Sequence, residues 1–325
     1  MKLVIQIPCL NEEEILPTTL ADLPRTLDGI DAIEVLVIDD GSRDHTSEVA
    51  REHGVTRVVR FPSRRGLAHA FSRGLQEALA MGADVIVNTD ADNQYVGADI
   101  AKLVDPVVRG RADMAVGDRG VETMPDFSWL KKRLQKLGTA VVRGLSRTPV
   151  TDATSGFRAY SRDAAMRLTV VSSFTYTLET LLEAAEKGIS VAHVPIRTNP
   201  KTRDSRLFTS MRAYVGRSLV TMARIYLMYQ PARVLLSLSA GFGLIAAVLA
   251  GRFVYYYVAL YPEPSGHTQS LLVAGVLAIV GVLIGVLGIL ADLIAINRKL
   301  LEEMLTNSRI LRFDLASNGK DEHEP

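Results

Sequence analysis

The run Asp84-Val85-Ile86-Val87-Asn88-Thr89-Asp90-Ala91-Asp92-Asn93-Gln94 decides how the chain is read. Its β-branched residues describe a short buried strand, and two carboxylates one residue apart stand where that strand ends. Alternate residues of an extended segment project to one side, so Asp90, Asp92 and Gln94 can converge on one point past the strand. Hard oxygen donors at such a point suit Mg2+ or Mn2+, ions that commonly bridge to a phosphate. Acidic turns after strands are common in themselves, so the neighbouring segments matter.

Before residue 200 the chain alternates short β-branched runs with helical patterns, as an α/β layered domain does. Strands are expected over 3–7, 34–38, 56–60, 84–89, 113–117 and 191–196. Helices are expected over 12–27, 44–53, 67–81, 98–109, 128–145, 162–168 and 177–187. Asn11, with Glu14 three residues on, predicts a capping box for the first helix, and Asp44 can cap the second. Two further strand ends are polar: Pro8-Cys9-Leu10-Asn11-Glu12-Glu13 and Asp39-Asp40-Gly41-Ser42-Arg43-Asp44. In an open parallel sheet the carboxyl ends of adjacent strands border the ligand crevice, so such clusters can face one ligand. Asp39 and Asp40 offer acceptors for a base amide or a ribose hydroxyl, or else serve as a helix-capping turn. No Gly-x-Gly-x-x-Gly follows the first strand, which argues against a dehydrogenase.

A chain of 325 residues can hold one large domain or two modest ones. Lys and Arg total 37 against 36 Asp and Glu, so there is no basic field and nucleic acid is not an expected partner. The single cysteine, Cys9, excludes an intramolecular disulfide and fits a reducing compartment. At the end of the first strand it reads as a small buried apolar residue. The apolar run 3–10 is short, is interrupted by Gln6 and Pro8 and is followed by Glu12-Glu13-Glu14, so it is not expected to be a secretory signal. The polar tail 316–325 is expected to be disordered.

The class changes in the C-terminal third. Residues 234–251 and 270–291 are uncharged and apolar or small, and at 1.5 Å per residue each run is about as long as the bilayer core is thick, ~30 Å. Arg252, Phe253, Tyr255, Tyr256, Tyr257 and Tyr261 close the first run as a snorkelling charge and an aromatic belt do. Arg224 and Arg233 precede the first span, and Arg298, Lys299, Arg309 and Arg312 follow the second. No Lys or Arg lies between Phe253 and Asn297, so both ends are expected in the cytoplasm. Gly281 and Gly285, extended by Ala278 and Gly288, form a small-residue face. It can serve either packing of the hairpin itself or homo-oligomerisation through the membrane helices.

Taken together, these segments closely resemble the family-two glycosyltransferases of GT-A fold, specifically the polyprenyl-phosphate sugar synthases typified by dolichol-phosphate mannose synthase. The resemblance rests on Pro8 with Asn11-Glu12, Asp39-Asp40-Gly41-Ser42, Asp90-Ala91-Asp92 with Gln94, Gly117-Asp118-Arg119 and Asp152-Ala153-Thr154-Ser155-Gly156-Phe157-Arg158. It covers roughly residues 2–206 and then the hairpin, and five motifs in order are far more specific than any one. It implies a GT-A (Rossmann-like) nucleotide-sugar domain followed by a two-helix transmembrane hairpin. It also implies that Pro8, Asn11, Glu12, Asp39 and Asp40 serve the nucleoside, that Asp92 and Gln94 hold the metal with Asp90, and that Asp90 also meets the donor sugar or diphosphate. Tyr95-Val96-Gly97 and Arg203-Asp204-Ser205-Arg206 depart from the usual family residues, and the sugar is left open by them.

Between domain and membrane, Arg203, Arg206, Arg212, Arg217 and Arg224 alternate with Leu207, Phe208, Met211, Tyr214 and Leu219, as in a helix lying in the interface plane. Such a face can bind anionic lipid. Arg203, Ser205 and Arg206, with Arg119 and Arg133, are the candidates for phosphate contacts. The expected organisation is a cytoplasmic catalytic domain over 1–205, amphipathic helices over 206–232, two transmembrane helices over 233–297 and a cytoplasmic tail over 298–325. Nucleotide sugar, polyprenyl phosphate and the bilayer are then the partners. A lipid monophosphate has a second pKa near ~6, so its attacking oxygen is already ionised near neutrality and no strong general base is required. Asp152 is then expected to orient the acceptor or an arginine. A processive polysaccharide synthase would carry Gln-x-x-Arg-Trp, and the only tryptophan, Trp129, has no such motif around it.

Overall fold

The structure is a computed structural model that describes residues 1–120, 152–170, 176–200, 220, 224, 227, 230–259 and 268–321. Seven strands form one sheet: β1 (Lys2–Cys9), β2 (Ala32–Asp39), β3 (Arg57–Arg60), β4 (Val85–Asn88), β5 (Met114–Asp118), β6 (Arg158–Ser161) and β7 (Val191–Pro195). Their spatial order is β3-β2-β1-β4-β6-β5-β7. All neighbours are parallel except β6, which runs antiparallel to both β4 and β5.

β1 is a nearly unbroken apolar run because both of its faces are covered. Leu3, Ile5 and Ile7 share one core with Leu16, Ile100, Leu103 and Val104. Those partners come from helices α1 (Leu16–Asp22) and α4 (Ile100–Val108). On the opposite phase Gln6 meets Gly74 of α3 (Leu67–Ala80), where a Cβ would stand 2.4 Å from the Gln6 Oε1. Pro8 is tolerated inside this central strand for a local reason. Gln6 turns its carbonyl to the β4 side (Thr89 N, 3.1 Å) and Cys9 turns its own to β2 (Asp40 N, 2.9 Å). Pro8, in phase with Gln6, therefore lacks its N–H on the side where β4 has already ended.

The first helix is shorter than the expected 12–27. Asn11 does not cap it: its backbone is left-handed (φ 55°) and its side chain accepts from Arg43 N at 2.8 Å, crossing to the next loop. Pro17 stands in the first turn of α1, and Leu23, extended ahead of Pro24, ends it. Asp44 accepts from the N–H of Thr46, the first residue of α2 (Thr46–Glu52), although His45 is the flanking residue. α5 (Arg162–Arg167) and α6 (Thr177–Glu186) are the remaining helices among the described residues of the domain, with Ser161 capping α5 through Ala164 N. The helix expected over 128–145 and almost all of the amphipathic stretch lie outside the described residues.

Two long helices follow, α7 (Pro231–Ala259) and α8 (Thr268–Asp321). Their apolar windows have mean hydropathies of 2.2 and 2.9, and only 6% and 17% of those windows are buried. Helices of this composition left bare are not the core of a soluble hairpin, and a hydrocarbon phase is the solvent that suits them. The chain divides into two units, Met1–Ser218 with Met304–Pro325, and Leu219–Glu303. Within the second unit the small-residue face is used internally. Ser239 Oγ donates to Gly281 O at 2.7 Å, and Cβ atoms on Gly285 and Gly288 would meet Ser239 Oγ and Leu235 Cβ at 3.0 Å each. Within the first unit Arg309 donates to Leu168 O at 2.8 Å, a use that its role as a topological charge did not foretell.

Candidate active site

The carboxyl ends of β1, β2, β4 and β5 carry the candidate residues, as the parallel part of the sheet dictates. Loops after β1 and β2 are stitched together: Asn11 N donates to Ser42 Oγ (2.9 Å), Glu12 N to Thr46 Oγ1 (2.9 Å) and His45 N to Glu13 Oε2 (2.8 Å). Asp39 is fully buried and its oxygens accept from Ser42 N and Ser47 Oγ, with Arg60 Nε at 3.5 Å. Its carboxylate is therefore engaged within its own turn. Asp40 accepts from Arg65 N (2.7 Å) and Gly66 N (2.9 Å), drawing the segment before α3 over the end of β2. Gly41 makes that approach feasible, because at φ +76° a Cβ there would lie 2.7 Å from the Ser63 carbonyl carbon.

β4 stops at Asn88, one residue before the expected end, and Asp90, Asp92 and Gln94 lie past it as expected, but not in an extended segment. A turn brings them to the crevice instead. Asn93 is left-handed (φ 52°) and Asp92 Oδ1 accepts from Gln94 N at 3.1 Å. The turn is held from outside by Asn199, which donates to Gln94 O (2.9 Å) and through its amide to Asn93 O (3.0 Å). Next to it Arg197 and Asp99 form a bidentate pair that holds the Asp99 carboxyl well below its usual range, against the opposing effect of burial.

Asp90 rests against Gly156, where a Cβ would stand 3.1 and 3.2 Å from its two oxygens and 2.8 Å from Tyr176 Oη. Burial, then the adjacent Asp92 charge, push the Asp90 pKa up, with Glu12 adding a little. The Arg119 charge and the Tyr95 hydroxyl pull the other way. This is a surplus of negative charge with one partial counter-ion. Arg119, at the end of β5, grips Asp152 through Nε–Oδ2 (2.7 Å) and Nη2–Oδ1 (3.0 Å) and also reaches Thr154 Oγ1 at 2.8 Å. Burial opposes ionisation of Asp152, but the Arg119 hydrogen bonds and charge outweigh it and hold the carboxyl below its ordinary value. Asp152 is thus an anion committed to an arginine.

The structure brings Asp90, Asp92, Glu12, Arg119 and Asp152 into one electrostatic neighbourhood and places Pro8, Asn11, Asp39 and Asp40 at the adjoining strand ends. Arg133, Arg203, Ser205 and Arg206 lie outside the described residues. Among the described residues no three His, Cys, Asp or Glu side chains gather as a ready-made metal cage. Asp90 and Asp92 nevertheless fit a Mg2+- or Mn2+-type ion, which binds through one or two carboxylates and fills its shell with water and substrate phosphate.

Several supporting residues went unforeseen in the sequence. Asn88 donates to Gly156 O (2.8 Å) and Tyr176 Oη (2.9 Å) and accepts from Gln6 Nε2 (2.9 Å). Arg158, fully buried, binds Ser155 O, Ala153 O and Thr180 Oγ1 at 2.7–3.0 Å and so shapes the loop that carries Asp152. Tyr95 stacks on Phe157 with ring centroids 4.8 Å apart. In the sequence Asn88 stands at the end of an apolar run, Tyr95 stands as a departure from the family pattern and Arg158 closes the last resemblance motif, and none of the three carries a structural role there.

Comparison with known proteins agrees with this geometry. Residues 4–169 match the family described as glycosyl transferase family 2. The polyprenol monophosphomannose synthase of Mycolicibacterium smegmatis is 31% identical over 204 residues, 59% of this chain and 76% of that protein. The dolichyl-phosphate hexose transferase of Haloferax volcanii is 31% identical over 220 residues, 65% of this chain and 89% of its own length. Among solved structures, glucosyl-3-phosphoglycerate synthase from Mycobacterium tuberculosis, in complex with Mn2+, UDP and glucosyl-3-phosphoglycerate, superposes with a TM-score of 0.52 at 22% identity. That match covers 68% of this chain and 79% of the other, a likeness of fold. The sheet topology, the strand-end acidic turn and the family match over half the chain together make this protein a GT-A-like glycosyltransferase of glycosyl transferase family 2.

Proposed function

We propose that the chain transfers one hexose from a UDP- or GDP-linked donor to a polyprenyl phosphate at the cytoplasmic face of a cell membrane, with inversion at the anomeric carbon. The observation that carries the acceptor class is the presence, in one chain with a family 2 domain, of two bare helices long enough to cross a bilayer. A lipid-linked acceptor is the substrate that makes such an anchor useful, and the names of the two relatives support it. Basic residues flank both helices and none lies between Phe253 and Asn297, which supports a cytoplasmic catalytic domain.

In this proposal Pro8, Glu12 and Asp40 face the nucleoside, while Asn11 and Asp39 hold the two loops that present them. Asp90, Asp92 and Gln94 hold a divalent cation, which when bound neutralises charge on the leaving nucleoside diphosphate. Arg119 offers a further cation, aimed by Asp152. Arg133, Arg203, Ser205 and Arg206 are assigned to the acceptor phosphate by sequence. Because that phosphate is ionised near neutrality, positioning and charge stabilisation carry the chemistry, and direct attack on the anomeric carbon inverts it. Incubating the purified protein with labelled UDP- and GDP-sugars and undecaprenyl phosphate tests the proposal. Label should enter the lipid phase for one donor, and lipid-independent incorporation into a water-soluble acceptor would contradict it.

A further inference from the structure

The turn that carries the acidic pair continues into a tyrosine that the proposed chemistry does not use. Tyr95 is buried, and its hydroxyl accepts a hydrogen bond from Gly156 N at 3.1 Å. A phenol has one proton to donate, and with Gly156 as its donor partner that proton is free for an acceptor. The Asp90 carboxylate packs on the same glycine, its two oxygens 3.1 and 3.2 Å from where a Gly156 Cβ would stand, and is the acceptor nearest at hand. Gly156 is clamped from its other side as well, since its carbonyl accepts from Asn88 Nδ2 (2.8 Å) and Tyr176 Oη (3.4 Å). Asp90 therefore packs on the same fixed backbone that holds the Tyr95 hydroxyl. The backbone at Tyr95 is held independently, by the Tyr95–Thr198 bridge and the two Asn199 hydrogen bonds.

We infer that the Tyr95 hydroxyl is a positioning group that locks the Asp90 carboxylate against Gly156 in the orientation that meets the donor, a role that rests on the assignment of Asp90 to the donor side. The phenol couples two loops that come from distant parts of the chain, the acidic turn after β4 and the Asp152–Phe157 loop before β6. Its ring supplies packing against Phe157 and its oxygen supplies aim, so the two contributions separate in a Phe variant.

The test uses the full chain in lipid nanodiscs, with Tyr95→Phe and Asp90→Asn measured beside wild type. Tyr95→Phe keeps the ring stack, so its Tm should stay close to that of wild type. Its kcat should fall about 10- to 100-fold, the size of one hydrogen bond to a charged acceptor, with KM for donor and for lipid phosphate essentially unchanged. Calorimetric binding of nucleoside diphosphate with Mn2+ should persist, and the double variant should be no slower than Asp90→Asn alone. Full activity of Tyr95→Phe beside an inactive Asp90→Asn overturns the positioning role and leaves the Asp90 assignment standing. An active Asp90→Asn overturns both. A Tyr95→Phe protein that loses Tm and weakens both KM values shows a merely structural residue and also overturns the inference.

Discussion

Replacing Asp152 by asparagine separates a base from a positioning group. In the structure the Asp152 side chain is fully shielded and that of Arg119 is 11% exposed, with two hydrogen bonds of 2.7 and 3.0 Å between them. Asparagine keeps one carbonyl acceptor and loses the charge, so about one charge-assisted bond, roughly 1.5–3 kcal/mol, leaves the pair. Alanine would strand a buried guanidinium at a cost of about 3–5 kcal/mol, which is why asparagine is the better probe. The loosened Arg119 no longer meets the leaving group in register, and a misplacement of ~1 Å is worth roughly 100-fold in rate. The pH dependence then discriminates. Asp152 is held below its ordinary value, so the stability it contributes is present above the unfolded carboxylate pKa near ~3.9 and is lost only as pH falls through the lower folded value. From about pH 5.5 to 8.5 it is ionised throughout, and the rate of both proteins should rise together as the acceptor phosphate ionises near ~6. Initial rates across that range, at saturating donor, should show a constant deficit that added small bases do not rescue. A deficit that is largest at low pH and shrinks as pH rises would refute the pre-ionised nucleophile and make Asp152 a general base.

Two other perturbations follow from the geometry. Gly156→Ala places a methyl 2.8 Å from Tyr176 Oη and about 3.1 Å from Asp90. Tyr176 is stacked on Phe71 at 4.0 Å and cannot retreat, so thermal unfolding should register about 1–3 kcal/mol of overpacking and transfer should fall more than tenfold; a stable, fully active variant would contradict the close packing. A cysteine introduced at Ser265 should react with an impermeant reagent in intact cells, because the charge distribution predicts a non-cytoplasmic loop over 261–269, and labelling only after lysis would reverse the topology.

The parts of the fold that were legible are those where burial writes itself into residue type. β1, β2 and β4 are covered on both faces, and their runs Leu3–Ile7, Leu36–Ile38 and Val85–Val87 are correspondingly apolar. β6 was missed because Arg158 and Tyr160 interrupt its four residues. Only the structure shows that the guanidinium is satisfied by carbonyls at Ala153 and Ser155 and by Thr180. The capping box at Asn11 failed for a related reason: the side chain that could cap a helix crosses 32 residues to Arg43 N instead. The acidic residues of the site were readable as a motif, whereas the Arg119–Asp152 pair and the Tyr95–Gly156 bond join segments 33 and 61 residues apart. No local pattern encodes such contacts. For the glycine face of α8 the sequence allowed two uses, and close packing of Gly281, Gly285 and Gly288 on Ser239, Phe242 and Leu235 shows the first of them, packing within the hairpin.

The central claim, cation-assisted transfer of a single sugar to a lipid phosphate at the Asp90–Asp92 turn, is tested most directly by product analysis in proteoliposomes. Wild type and Asp92→Asn would be reconstituted with undecaprenyl phosphate, Mn2+ and a labelled α-linked nucleotide sugar, and the lipid extract analysed for sugar content and anomeric configuration. Wild type should yield one sugar per lipid phosphate in β linkage. Asp92→Asn, folded to the same Tm, should yield none, and excess chelator should silence wild type. Undiminished transfer by Asp92→Asn, a retained α linkage, or label found only as free sugar or polymer would contradict the account.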